Sequence, residues 1–258
     1  MKQIRFALLL LIAFGLAGCA SFQSPAPETD LPGPLKPDPE GGVAVMERGA
    51  AGGMPTGWEP WILHPSKKRT RYEARGRSGD TVISAYADSA ASGLVRRVSL
   101  DPAATPWIEW RWRVDALVPG ADNTDRYAED SPVRVVLAFD GDRRKLPLRD
   151  QLFLEQAKLL SGGQEMPYAT LMYIWENQQP VDAVITNPHT ARVRKIVVSS
   201  GGSGVGIWQR YRRNFVDDYR LTFGAEPGRL IGIAILTDTD NTRQQVSAQY
   251  GEIRLLER

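Results

Sequence analysis

Hydrophobic and polar residues alternate with period two from Trp107 to Val114, where WIEWRWRV sends Ile108, Trp110, Trp112 and Val114 to one side and Trp107, Glu109, Arg111 and Arg113 to the other. That period marks a strand with one buried face. Short runs rich in Val, Ile, Leu, Tyr and Trp, bounded by Gly, Pro, Asn and Asp, recur at Thr81 to Ala87, Leu94 to Leu100, Val133 to Phe139 and Tyr168 to Trp175. They continue at Val193 to Ser199, Leu230 to Thr237 and Ser247 to Leu255. So many strands with few helices between them predict a mainly β fold, a jelly-roll-like antiparallel β-sandwich. Two segments change period and predict short helices. LRDQLFLEQAKLL, Leu148 to Leu160, has Pro147 at its start and Gly162-Gly163 beyond its end, and groups Leu148, Leu152 and Leu159 on one helical face. Asn214 to Phe223 has Asn214 as N-cap, Asp217 and Asp218 in the first turn, and Gly224 as terminator.

The first 42 residues follow neither pattern. Lys2 and Arg5 precede an apolar run from Phe6 to Ile12, and Leu16-Ala17-Gly18-Cys19 follows. A charged start, a short apolar run and small residues before a cut site describe a secretory signal over residues 1–18. The run is shorter than the roughly 20 apolar residues that span hydrocarbon. The tetrad resembles the lipobox of bacterial lipoproteins, which implies lipidation of Cys19 and membrane attachment through that lipid. In those lipoproteins an aspartate after the cysteine marks inner-membrane retention, so Ala20 implies the outer membrane, facing the periplasm. Residues 19–42, rich in proline and polar side chains, predict an extended tether. Residues 43–258 form the expected single β-sandwich domain.

Charge and cysteine content narrow the chemistry. The chain has 32 Lys and Arg against 30 Asp and Glu, and removing Lys2 and Arg5 makes the balance even, so no global field recruits nucleic acid. Cys19 is the single cysteine, which leaves the folded part without thiol chemistry or disulfides. His64 and His189 each adjoin a proline and are too few for a zinc or iron site. The stretch Gly201 to Gly206 lacks the endings of phosphate-binding loops, and Val205 stands where a nucleophile elbow around Ser203 needs glycine, so it reads as a turn.

Oxygen-bearing side chains gather in two places, Asp122, Asn123, Asp125, Glu129 and Asp130 in one loop, and Asp238, Asp240 and Asn241 at the end of a strand. Hard cations take oxygens from such loops, so Asp238, Asp240 and Asn241 are candidate ligands for a structural calcium, although Thr242 and Arg243 break the EF-hand pattern. Glu109 and Glu176, each beside strand tryptophans, are candidate carboxylates for glycoside hydrolysis, which needs a pair about 5 to 9.5 Å apart. Glu109 with Arg111 and Arg113 equally suits same-face ion pairing. Trp107 and Trp175 are the aromatics whose exposure would allow stacking on sugars.

WIEWRWRV at 107, Glu129-Asp130 with RVVLAFDGD, PYATLMYIW at 167, Trp208 with RRNFVDDYRLTFG, and LTDTDNT before Tyr250-Gly251-Glu252-Ile253 together resemble the bacterial domain-of-unknown-function family 3047. The resemblance runs from about Trp58 onward and departs from the family's aromatic acidic stretch at Ser131 and Pro132. It implies a secreted or lipid-anchored β-sandwich and no established reaction. The function expected from these residues is a noncatalytic envelope domain binding a glycan, peptidoglycan or other cell-wall component through Trp107, Glu109, Arg111 and Trp175. The alternatives are a carbohydrate-active enzyme using Glu109 or Glu176, and a structural or assembly lipoprotein that contacts another envelope protein.

Overall fold

The computed structural model describes residues 35–38, 41–46, 54–75, 82–161, 163 and 165–258. The expected signal peptide, Cys19 and most of the expected tether lie outside these residues. All of the described residues belong to one unit, Leu31–Arg258.

One sheet contains β1 (Lys36–Pro37), β2 (Val43–Met46), β4 (Arg71–Arg75), β5 (Val82–Asp88), β7 (Trp107–Val114), β12 (Gln209–Asn214) and β14 (Gln245–Leu256). The other contains β3 (Trp58–Trp61), β6 (Ala91–Leu100), β8 (Ser131–Phe139), β9 (Ala169–Glu176), β10 (Val184–Thr186), β11 (Val193–Ser200) and β13 (Leu230–Asp238). The fold is a mainly β sandwich with two α-helices, α1 (Leu148–Leu160) and α2 (Phe215–Phe223). In the first sheet the long β14 lies between β7, itself flanked by β12, and a far edge shared by two partners. Gln245–Tyr250 pairs with β5, and Ile253–Leu255 pairs with β2. The second sheet runs β10, β11, β9, β8, β13, β6, β3. Its β9–β11 pair is parallel, a departure from the expected antiparallel pattern that arises because β11 inserts between β9 and the returning β10.

Lys36–Pro37 lies within the segment expected to be a free tether, yet it pairs with Val43–Ala44 of β2, and the buried Asp38 approaches Arg254. The ordered chain therefore begins earlier than residue 43, because a buried ion pair and a strand pairing offset the entropy that proline-rich composition alone leaves unopposed.

The core lies between the sheets. Ile108, Trp110, Trp112 and Val114 of β7 point inward against Val133, Val135, Leu137 and Phe139 of β8 and Leu171, Tyr173 and Trp175 of β9. Trp110 stacks between Tyr173 and Tyr211, with ring centroids 4.8 and 5.1 Å away, which explains the inward place of Tyr211 on a strand otherwise rich in arginine. Gly251 sits where Arg111 crosses β14, and a Cβ there would come within 2.4 Å of Arg111 Nε.

The helix α2 forms as its sequence predicts. Asn214 Oδ1 accepts from the N–H groups of Val216 and Asp217, and Gly224 terminates the helix at φ 66°. The helix α1 has the expected extent, and the face that carries its three spaced leucines is the one turned to solvent. Leu148, Leu152 and Leu159 are 69%, 61% and 81% exposed, while Asp150 and Leu154 turn inward. Asp150 accepts a hydrogen bond from Thr190, a partner distant in sequence that no helical period reveals. Among the described residues no helix is long and apolar enough to cross a membrane.

Candidate functional site

The residues singled out from sequence do not converge. Trp107, Glu109 and Arg111 share the outward face of β7, as the alternation requires, but their own neighbours engage them. Arg254 Nη2 lies 2.5 Å from Glu109 Oε2, Arg210 and Arg212 approach the same carboxylate at 3.7 and 4.0 Å, and Arg210 also bonds Glu252. The Glu109 partners are thus cross-strand arginines rather than Arg111 and Arg113. Arg212 covers Trp107 and Arg111 covers Trp208, with guanidinium carbons 5.0 and 4.5 Å from the ring centres. Each arginine takes up one face that a sugar would need.

Trp175 does not belong to that surface. It points into the core from β9, is fully buried, and its indole N–H donates to the Gly201 carbonyl at 3.0 Å. Glu176, the next residue, is buried on the opposite face of β9. Its carboxylate accepts from the backbone N–H groups of Asn123 (3.1 Å), Gln179 (2.7 Å) and Gln178. That arrangement ties two loops to a strand end, and the residue is 1% exposed. Glu109 and Glu176 project from opposite outer faces of the sandwich, with both sheets, themselves about 10 Å apart, between them. They cannot flank one glycosidic bond.

A different feature occupies the outer face of the second sheet. A groove of about 950 Å³ runs along it. Its floor is aliphatic, made by Val95, Val136, Met172, Ala234 and Leu236 with the small residues Ala138 and Gly232. Trp61 and Leu63 stand on the β3 side, and Phe153 of α1, Tyr168 and His189 on the other. The β8–β13 register, Leu230 opposite Phe139 and Asp238 opposite Ser131, orders the floor along the strands. Asp238 and Arg134 lie at one end, and Ala138 and Gly232 near the other. The six residue steps from Gly232 to Asp238 span roughly 20 Å at about 3.4 Å per residue.

Charged side chains close the Asp238 end. Arg134 Nη2 lies 3.0 Å from Asp238 Oδ1, with both side chains almost wholly buried. Lys195 Nζ lies 2.6 Å from Glu129 Oε1, and Asn187 donates to the same carboxylate. Burial pushes the Asp238 carboxyl up to about 7 against the opposing pull of Arg134, and burial followed by the Arg134 charge draws Lys195 down to about 8. Burial also lowers Arg134, but Asp238, Glu129 and Asp130 together carry it above its ordinary value. Arg126 and Lys67 complete the cationic side of this end. Perturbed ionisable groups beside a cleft are a recurring feature of functional sites. The sequence signal for Arg134 was a single charge inside an otherwise aliphatic strand, PVRVVLAF, and for Lys195 the second of two adjacent charges opening VRKIVVSS; strand alternation places both on the outward face.

The oxygen cluster forms with one changed member. Carboxylate oxygens of Asp130, Asp238 and Asp240 lie within 4.8 Å of one another, so Asp130 joins the two expected aspartates. Asn241 instead donates its backbone N–H to Asp130 and its side-chain amide to the Arg126 carbonyl. Each of the three carboxylates already has a partner. Asp130 accepts from the Thr242 N–H and hydroxyl, Asp238 meets Arg134, and Asp240 Oδ2 is 2.5 Å from Lys67 Nζ.

A two-sheet β-sandwich with a grooved outer face is the class this architecture defines. The chain belongs to the family described as "Protein of unknown function (DUF3047)", whose model matches residues 56–254. Among solved structures, the K2 cleaved adhesin domain of Lys-gingipain is similar at 9% identity and TM-score 0.34, covering 78% of this chain and 90% of that one. The glycoside hydrolase domain of Endo-D from Streptococcus pneumoniae R6 is similar at 7% identity and TM-score 0.32, covering 78% of this chain and 21% of that one. Comparison with curated proteins gave no match.

Proposed function

We propose that this protein is a noncatalytic binding domain of the bacterial cell envelope, holding an elongated glycan-bearing or other cell-wall component in the groove on the second sheet. The groove itself carries this reading: it is long, open to solvent, apolar along its floor and lined with hydrogen-bonding groups at both ends. Largely apolar concave sites with a few convergent polar groups are the usual form of ligand sites. Of the four acids among the described residues that line it, Glu129, Asp238 and Glu165 are committed to Lys195, Arg134 and Lys158, and Asp140 accepts from the Gly141 N–H, which suits binding better than turnover. Attachment through a lipid on Cys19, in the outer membrane and facing the periplasm, fits such a role and rests on the sequence.

The test is a binding screen of the full chain against peptidoglycan, lipopolysaccharide and a polysaccharide panel, repeated with Gly232→Leu. A Cβ at Gly232 meets Ala138 Cβ at 3.5 Å and Val95 Cγ2 at 3.7 Å, ordinary contacts, so a larger side chain fills the floor without striking backbone. Saturable binding lost in Gly232→Leu and kept in Trp107→Ala supports the groove. The reverse pattern returns the site to β7.

Carbohydrate hydrolysis is a second reading, favoured by one observation: Asp238, raised to about 7, lines the groove as a general acid would. It requires product release from the same panel that Asp238→Asn abolishes.

A further inference from the structure

We propose that the part of the ligand lying on the groove floor is a single acyl chain, and that the ligand is an anionic amphiphile whose head rests at the Arg126 end. This rests on the groove being the binding site and names what it takes.

The two sheets of this sandwich provide an internal comparison. Where the outward face of an antiparallel sheet meets solvent, it normally carries polar residues. The first sheet obeys, with Glu109, Arg111, Arg113 and Arg254 outward. The second does not. Val95, Val136, Met172, Ala234 and Leu236 form a continuous aliphatic strip on its outward side, and Trp61, Leu63 and Met166 pack around it without filling the space above. A pyranose is bound by aromatic ring faces and many hydrogen-bonding groups, whereas the middle of this floor offers neither. A hydrocarbon chain matches its chemistry, and the four residue steps of aliphatic floor from Gly232 to Leu236, roughly 14 Å, suit a chain of medium length.

The charges say which head the chain carries. At the Asp238 end the groove is lined by Lys67, Arg126 and Arg134 against Glu129 and Asp238, an excess of one cation. Arg134 and Lys67 face Asp238 and Asp240, but Arg126 is exposed, has no carboxylate partner among the described residues, and lies over the Tyr127 ring at 4.8 Å. A carboxylate or phosphate entering here meets an unpaired guanidinium, the side chain best suited to fork-like recognition of such groups.

The experiment measures binding of octanoate, decanoate and dodecanoate to the full chain by calorimetry, below micelle formation, with dodecyl maltoside and dodecyltrimethylammonium as neutral and cationic comparators. The expected result is about fourfold tighter binding per added methylene, loss of binding in Gly232→Leu, and a preference for dodecanoate over dodecyltrimethylammonium that Arg126→Glu reverses. Binding independent of chain length, or unchanged in Gly232→Leu, overturns the proposal. If envelope glycans bind and Gly232→Leu blocks them while no alkyl probe binds, the acyl inference fails and the groove reading stands. If Gly232→Leu alters nothing, both fail.

Discussion

The Lys195 ammonium, buried without exposure to solvent, lies 2.6 Å from the Glu129 carboxylate, which is itself 17% exposed. Removing one partner of such a pair is far costlier than removing the charge from both, because the survivor stays desolvated. Glu129→Ala is expected to destabilise the domain by about 3 to 5 kcal/mol. Lys195→Met, which replaces the ammonium with an apolar side chain of similar length and leaves a glutamate that can reach water, should cost clearly less. Urea unfolding of the two variants measures this directly, and equal losses would contradict it. In Glu129→Ala the deficit should also shrink as pH rises toward 8, because without the Glu129 charge that raises it the lysine sheds its proton at lower pH than in the wild type.

Asp238 gives the domain a distinctive pH dependence. Its carboxyl titrates near 7 when folded and near 3.9 when unfolded, so between these values the native state keeps a proton that the unfolded chain has released. Stability from this group is complete below about pH 4 and is lost as pH rises toward 7, with a slope of up to about 1.4 kcal/mol per pH unit. Lys195 acts in the opposite sense: drawn down to about 8, it contributes stability above its unfolded value of about 10.4 that is lost as pH falls to 8. The two together place a trough at pH 7 to 8. Unfolding free energies of the wild type and Asp238→Asn, compared from pH 4 to 9, should converge or diverge only on the acid side. Parallel curves would show that Asp238 is not shifted.

Glu176 is a second carboxylate whose role stability reveals. Three backbone N–H groups converge on it, from Asn123, Gln178 and Gln179. Glu176→Gln keeps the size but loses the charge and sets an amide N–H against donors. It should lower stability by about 1 to 3 kcal/mol and leave ligand binding in the groove unchanged when measured below the unfolding transition. A hydrolytic activity lost in Glu176→Gln at full stability would restore its catalytic candidacy.

Local rules were legible where one segment decides its own structure. The period of Trp107–Val114 set its faces, and Asn214, Asp217 and Gly224 set α2, because alternation and capping act within a few residues. Edge strands were not legible: Gln209–Asn214 is mostly polar, and only its pairing with β7 and the Trp110–Tyr211 stack make it a strand. The site was hidden for the same reason. Trp175 and Trp107 look alike in sequence, but burial depends on which sheet face each strand presents to the other sheet. Likewise the aliphatic floor from Val136 to Leu236 reads in sequence as core, since nothing local says that this buried second cluster also lines a cavity.

Calcium tests whether acidic proximity alone makes a cation site. Calcium takes six to eight oxygens at about 2.3 to 2.6 Å, and an acidic loop binds it when its oxygens are otherwise unsatisfied. Asp130, Asp238 and Asp240 meet the proximity condition, and Asp240 Oδ1 is buried without a hydrogen bond, yet the other oxygens accept from Thr242, Asn241 and Ser131 and face the cations of Arg134 and Lys67. An entering calcium would have to displace a lysine and approach a guanidinium that is almost wholly buried beside Asp238. The expected outcome is a melting temperature unchanged between chelator-treated protein and protein in millimolar calcium at pH 7.5. A rise of several degrees would mean that Lys67, the more exposed of the two cations, yields its place on Asp240, and Lys67→Met should then strengthen the calcium response rather than abolish it.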